Sequence, residues 1–291
     1  MDWIERMNAA INYIEEHITE ELDFSKIAQI AFSSAYHFQR MFVCMAGIPL
    51  SEYIRRRRMS LAVADLKSDN AKIVDVAHKY GYSSPTAFNR AFKSVHGIAP
   101  SLIKQDGVHV KSYPPISFKI TIKGVEGMNY RIEKKDAFRI VGISAPLDPE
   151  LENNYELVSQ MWQVAEKNGT ISKLSALMEG PPTSLLGVMV CNESVEEWRY
   201  FAAVSSTKEI DSTLEEYIIK PYTWAIFSGE GSDSDAIKNL GMRVITEWLP
   251  TSGYEYDNGP DIEVYLSEEP GNSKFEFWMP VKRAELGENH L

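Results

Sequence analysis

Cysteine is scarce in this chain, and long apolar runs are missing. The two cysteines, Cys44 and Cys191, stand far apart and match no metal-ligand or redox spacing. They read as buried thiols of a reducing compartment, so neither a disulfide framework nor a metal site is expected. No stretch approaches the roughly 18 apolar residues that span a bilayer; the longest clear run, Leu185 to Cys191, has the length of one buried strand. The first residues, Met1 to Glu5, are acidic where a signal peptide would be basic, which points to a cytoplasmic protein without membrane contact. Basic charge is also short: 30 lysines and arginines against 41 acids leave a net charge of −11. Taken as an average, that balance argues against nucleic acid as a partner.

The average hides a segregation. Residues 24–105 carry 12 basic and 4 acidic side chains, a net +8, whereas residues 128–291 carry 14 basic and 28 acidic ones, a net −14. Two segments of opposite sign imply two different partners, and 291 residues are enough for two domains.

Apolar periodicity separates the same two segments. Trp3, Ile4, Met7, Ile11, Ile14 and Ile18 keep helical spacing, and short helices continue to about Lys104, with Gly47 and Gly97 as stops. From Val108 the pattern alternates through Pro114-Pro115, as a connector or edge segment would. Strand-like runs follow at Tyr130–Ser144, Ser184–Cys191, Trp198–Ser205, Tyr217–Phe227, Ile262–Leu266 and Phe275–Val281. Helical runs interrupt them at 154–168 and 234–249. The predicted organisation is an all-α domain over 1–107, a connector over 108–127 and an α+β domain over 128–291.

Two internal repeats carry more information than any single motif. Ser34-Ala-Tyr-His-Phe-Gln-Arg-Met-Phe returns fifty positions later as Ser84-Pro-Thr-Ala-Phe-Asn-Arg-Ala-Phe, and Gly47-Ile48 returns as Gly97-Ile98. Each copy follows a short helix with a small residue, Ala28 or Ala77, that permits a close crossing. Ser34 and Ser84 suit helix N-caps, and Pro85 suits a first helical turn. The spacing of Phe38 with Phe42, and of Phe88 with Phe92, buries one face. Tyr36, Gln39 and Arg40 then point outward, as do Thr86, Asn89 and Arg90. Amide, hydroxyl and guanidinium groups near a helix N-terminus can meet base edges in a major groove; two ordinary amphipathic hairpins would show the same apolar spacing. The second repeat is one of pattern only: strand, helix, strand, strand, over about 129–207 and again over about 214–283.

The first repeat, with its Ser-x₃-Phe-x-Arg-x-Phe copies and Gly-Ile endings, resembles the DNA-binding domain of the AraC/XylS transcriptional regulators across 3–105. The resemblance implies two helix-turn-helix units joined by a long central helix and entering successive major grooves of double-stranded DNA. Tyr36, Gln39 and Arg40 would contact DNA in one unit, and Thr86, Asn89 and Arg90 in the other, with RNA polymerase as a further partner. Phe32 departs from the pattern, standing where the first turn often has glycine, so a reshaped turn is expected. Arg55 to Arg58 lie in the central helix and fan around roughly 300° of azimuth. One or two of them, Arg55 first, are expected on phosphates and the others on acids such as Glu52; a merely solvated charge run is the alternative.

In the acidic half, Asp261-Ile-Glu-Val-Tyr-Leu266 alternates, so Glu263 and Tyr265 share one strand face. A carboxylate beside an aromatic ring suits a bulky cation through Coulomb attraction and cation–π contact. Trp162, Trp224 and Trp278 are candidate walls; the competing reading makes the tryptophans core and Glu263 a surface residue. The segment 128–285 resembles the GyrI-like effector-binding family through Asp261-x-Glu-x-Tyr, Trp278-Met-Pro-Val-Lys282, and Tyr217 with Pro221 before Trp224-Ala-Ile-Phe-Ser-Gly. That resemblance implies duplicated β-α-β-β units forming one antiparallel sheet and a hydrophobic or cationic small-molecule effector held by Glu263. The rival from another class is a small-molecule hydrolase with Glu263 as general base, for which no second catalytic group is evident. No catalytic residue, cofactor or metal is therefore expected, and the whole reads as a multidrug-sensing regulator.

Overall fold

The structure, a computed structural model, describes residues 3–105, 107–119, 127–147, 154–192, 197–231, 234–267 and 273–284. The chain divides into two units, Met1–Lys119 and Ile120–Leu291.

The first unit is helical: α1 (Trp3–Glu16), α2 (Phe24–Ile30), α3 (Ala35–Ala46), α4 (Leu50–Lys67), α5 (Ile73–Lys79) and α6 (Pro85–His96). The caps follow the chemistry of the sequence. Ser34 Oγ accepts the amide of His37 and Ser84 Oγ that of Ala87, while Gly47 and Gly97 end α3 and α6 in left-handed conformation. Phe38, Phe42, Phe88 and Phe92 are fully buried, one pair in each helix-turn-helix.

The two turns have the same geometry. Phe32 donates its amide to Gln29 and Ser33 to Ala28, as Gly81 donates to His78 and Tyr82 to Ala77. Phe32 therefore occupies the left-handed position that Gly81 fills in the second copy, with φ of 53° and 81° respectively. The expected reshaping of the first turn does not occur. The phenylalanine takes up the strained conformation itself, with its exposed ring under the Arg6 guanidinium, 4.7 Å from the centroid.

Residues 108–118 belong to this unit. Val108, Val110 and Tyr113 pack on the core around Phe88 and Phe92, Tyr113 N donates to Ser60 Oγ, and Ile116 N donates to Tyr53 Oη. Asn8 of α1 exchanges two hydrogen bonds with the backbone of Phe118. The segment expected as connector is thus a strap running along α4 from α6 to α1. Residues 120–126 of that expected connector lie outside the described residues.

The second unit contains β1 (Tyr130–Lys135), β2 (Phe138–Pro146), α7 (Asn154–Lys167), α8 (Thr170–Leu177), β3 (Leu185–Asn192) and β4 (Glu197–Ser205). After these come β5 (Glu215–Ile219), β6 (Tyr222–Gly231), α9 (Ser234–Arg243), β7 (Tyr254–Tyr256), β8 (Asp261–Ser267) and β9 (Ser273–Arg283). Helix α8 carries no distinctive sequence pattern and was not expected. The runs Tyr130–Ser144 and Tyr217–Phe227, each expected as one strand, are each two strands, broken at Asp136-Ala137 and at Lys220-Pro221. Proline cannot donate to a ladder, which accounts for the second break.

The breaks have a topological purpose. The strand order is β1-β6-β9-β8-β3-β4-β2-β5, all antiparallel, with β7 added on β9. β1 pairs with β6 and β2 with β5 in one continuous register, Lys135 opposite Tyr222 and Phe138 opposite Ile219. This single ribbon joins both edges of the sheet, so the sheet rolls closed. Successive side chains along a strand point to opposite faces and directly paired residues share a face. The inner face is therefore Ile140, Leu186, Val188, Phe201, Trp224, Ile226, Ile262, Val264 and Trp278, all buried. The outer face carries Val141, Val204, Leu185 and Glu263, with α8 covering part of it through Leu174 and Leu177.

Candidate functional site

In the helical unit, Thr86, Asn89 and Arg90 are exposed on the first turns of α6, opposite buried Phe88 and Phe92. Gln39 and Arg40 are half-buried on α3; Tyr36 lies on the same helix, its side chain outside the described residues. Between them His37 is fully buried, and burial, reinforced by the Arg40 cation, pushes its pKa well below the ordinary 6.5, so its ring is neutral. Cys44 is half-buried, not fully buried as expected; the Cys191 side chain lies outside the described residues.

The four arginines of α4 separate as their azimuths require. Arg55 and Arg56 both pair with Glu52 and keep their side chains 45% and 32% exposed. Arg57 turns inward, binding both oxygens of Glu15 at 2.7–3.1 Å and the Tyr113 carbonyl. Burial alone would raise the Glu15 pKa, but the bonds from Arg57 and Tyr53 outweigh it and hold the carboxyl below its ordinary value. Arg58 donates to the Ile18 and Glu20 carbonyls, 2.8 and 2.7 Å away. Arg55 and Arg56 are the outward-facing cations of the quartet.

In the second unit, α9 packs on β6 and β9, and α7 and α8 pack on β4. The central strands β8 and β3 run between the strands that carry α9 and the strand that carries α7 and α8. There Glu263 of β8 stands directly opposite Gly187 of β3. Glu263 Oε2 accepts the hydroxyls of Tyr265, at 2.8 Å, and Tyr200, at 2.9 Å. Tyr200 Oη in turn accepts Trp162 Nε1 at 3.1 Å, and the Trp162 ring meets Tyr265 edge-on at 5.5 Å. Burial, then the Glu263 charge, raises the pKa of both phenols well above 10, so both remain donors. The result is a half-buried carboxylate beside two phenol rings and an indole, built by strand alternation on β8, the inward turn of α7 and the central position of β3.

The structure thus brings together Glu263, Tyr265 and Trp162 of the residues expected from sequence. It does not bring Trp224 and Trp278 to them, and that expectation is corrected. Trp278 pairs with Ile262, the strand neighbour of Glu263, and so faces the opposite side; Trp224 shares the closed inner face with it, ring centroids 5.7 Å apart. Both are core. Tyr200 and Gly187 were missed. Tyr200 sits in an unremarkable aromatic strand; Gly187, inside a strand otherwise made of bulky residues, carried the usual signal of close backbone approach.

The comparisons agree with this division. Residues 128–282 match a GyrI-like small molecule binding domain and residues 27–106 a helix-turn-helix domain. The chain is 40% identical over 92 residues to the transcriptional activator AarP of Providencia stuartii, covering 32% of this chain and 68% of AarP. It is 36% identical over 91 residues to the regulatory protein SoxS of Salmonella typhimurium, covering 31% of this chain and 85% of SoxS. It spans only 30% of the length of the Bacillus subtilis regulator YbfP, to which it is 36% identical over 90 residues. A solved structure of SAV2435 bound to tetraphenylphosphonium superposes with a TM-score of 0.48 at 19% identity, over 56% of this chain and 98% of that one. No helix among the described residues is long and apolar enough to cross a membrane. With its two-copy helix-turn-helix unit followed in sequence by the closed β-unit, the chain belongs to the AraC-type transcriptional regulators and carries a GyrI-like small-molecule-binding domain.

Proposed function

We propose that this chain is a one-component regulator in which a bulky hydrophobic cation, bound at Glu263, changes what the double helix-turn-helix does to transcription. The observation that carries the reading is the convergence of Tyr200, Tyr265 and Trp162 on one carboxylate in an acidic unit. A cation there meets charge and π-density together, and the surrounding negative charge raises its local concentration before contact. Glu263 Oε2 already accepts two hydroxyls, which favours a charge-pairing role over proton abstraction and so binding over hydrolysis. Tyr36, Gln39 and Arg40 of α3 and Thr86, Asn89 and Arg90 of α6 read DNA bases, and Arg55 approaches phosphate. RNA polymerase is the further partner through which bound DNA is acted on, and the cytoplasm is where all three meet.

Calorimetry on the full chain with tetraphenylphosphonium and uncharged triphenylphosphine oxide tests the site. Glu263→Gln is expected to weaken the cation about tenfold, a loss of roughly 1.4 kcal/mol, and the neutral compound much less. Equal losses, or none, remove Glu263 from the site.

A further inference from the structure

The two β-α-β-β repeats can be superposed from their ladders alone. Phe138 pairs with Ile219 as Tyr222 pairs with Lys135, which places Phe138 on Tyr222. Followed along the sheet, Ile143–Ala202–Gly187 then matches Phe227–Phe277–Glu263. Gly187 and Glu263 are therefore equivalent positions of the two repeats, and they are also direct cross-strand partners. The approximate two-fold axis of the unit passes between them. A duplicated glutamate would set two carboxylates face to face across neighbouring strands, where like charges destabilise. One repeat carries the acid and the other carries nothing at all.

The space left by the missing side chain is filled. A Cβ built on Gly187 would lie 2.1 Å from Tyr200 Oη, 2.6 Å from Glu263 Oε2 and 3.0 Å from Tyr200 Cζ. The tyrosine ring is only 2% exposed and cannot swing aside. Any side chain at 187 must break the Tyr200–Glu263 hydrogen bond or displace the carboxylate. Here φ is not the reason for glycine; close approach is.

We propose that Gly187 is the positioning residue of the effector site: its bare backbone lets Tyr200 hold Glu263 against the sheet. This rests on the reading of Glu263 as the cation-binding group. With the carboxylate held down, its charge lies at the floor of the site with the Tyr265 and Trp162 rings around it. A ligand must then bring its positive charge inward within an apolar shell, as a quaternary onium ion does. A carboxylate pushed off the floor would instead favour small hydrated cations at the surface.

The test is a double-mutant cycle on the full chain, with Gly187→Ala, Tyr200→Phe and the pair, read by tetraphenylphosphonium binding and by thermal melting. Gly187→Ala is expected to weaken the cation at least tenfold and triphenylphosphine oxide less than threefold. In the Tyr200→Phe background, where the atom 2.1 Å away is gone, the same substitution should cost less than threefold. It should also lower Tm less there than in the wild type. If Gly187→Ala alone does not fold, recovery of folding and binding in the pair gives the same support. The proposal is overturned if the alanine weakens both compounds equally, or costs as much with phenylalanine at 200 as with tyrosine. Failure of the wild type to bind tetraphenylphosphonium would instead sink the effector reading, and the melting cycle would still decide whether Tyr200 and Gly187 share that space.

Discussion

Asn8 grips the backbone of Phe118 on both sides of its Cα: its Nδ2 donates to the Phe118 carbonyl at 2.9 Å, and its Oδ1 accepts the Phe118 amide at 2.7 Å. The buried Phe118 ring lies edge-on to Phe42 of the first helix-turn-helix, 5.9 Å between centroids. At the other end of the strap, Val108 and Val110 pack on the core of the second helix-turn-helix around Phe88 and Phe92. The strap therefore braces both DNA-reading units. A fragment of residues 1–119 should melt at least about 5 °C above one of residues 1–107, because the shorter chain exposes Phe42 and leaves the Asn8 amide without Phe118. Equal melting temperatures and equal DNA affinities would show the strap to be a passenger.

On DNA, replacing Arg90 by alanine should cost about 1–3 kcal/mol if its guanidinium reads a base in bidentate fashion, with relaxed selectivity at one position. Arg55→Ala should instead weaken all sequences alike and reduce the salt slope by about one ion. Binding titrations at several salt concentrations separate the two. Identical, sequence-independent effects would place Arg90 on the phosphate backbone instead.

Acid should loosen the first helix-turn-helix through His37. The folded imidazole is held neutral, with its pKa depressed, while the unfolded chain titrates near 6.5. Below that value the unfolded state binds a proton that the folded state refuses. Stability is then lost as pH falls from about 6.5 toward the folded value, with a slope of up to about 1.4 kcal/mol per pH unit. Urea unfolding between pH 7 and 5 should show a shallower decline in His37→Leu than in the wild type; parallel curves would exclude this histidine as the cause.

Phe32 stores strain that glycine would release. A left-handed conformation costs an L-residue roughly 1–2 kcal/mol, which the contact with Arg6 offsets in part. Phe32→Gly should therefore raise thermal stability, as Gly81 does for the second turn. A lower Tm in the variant would mean that the Arg6–Phe32 contact outweighs the strain.

The helical unit was legible because its information is local. Ser34 and Ser84 as caps, Gly47 and Gly97 as stops, and the paired phenylalanines all act within a turn or two of helix, so repetition in the sequence becomes repetition in space. The fate of the arginine quartet was only half legible. The azimuths of Arg57 and Arg58 follow from helix geometry, but that Glu15 and the Ile18 and Glu20 carbonyls would be waiting for them does not.

In the second unit the sequence by itself determined which residues share a strand face: Glu263 with Tyr265, and neither with Ile262 or Val264. That follows from the two-residue period of any strand. Which partner each face meets was decided only by the tertiary structure. Closure of the sheet through the ribbon of β1-β2 with β5-β6 turned one face inward and made Trp224 and Trp278 core, although their aromatic character suits a binding wall equally well. The same closure set Gly187 across from Glu263, and Tyr200 and Trp162 within hydrogen-bonding reach. These four residues come from four separate elements, and a cross-strand register has no signature in the order of residues along either strand.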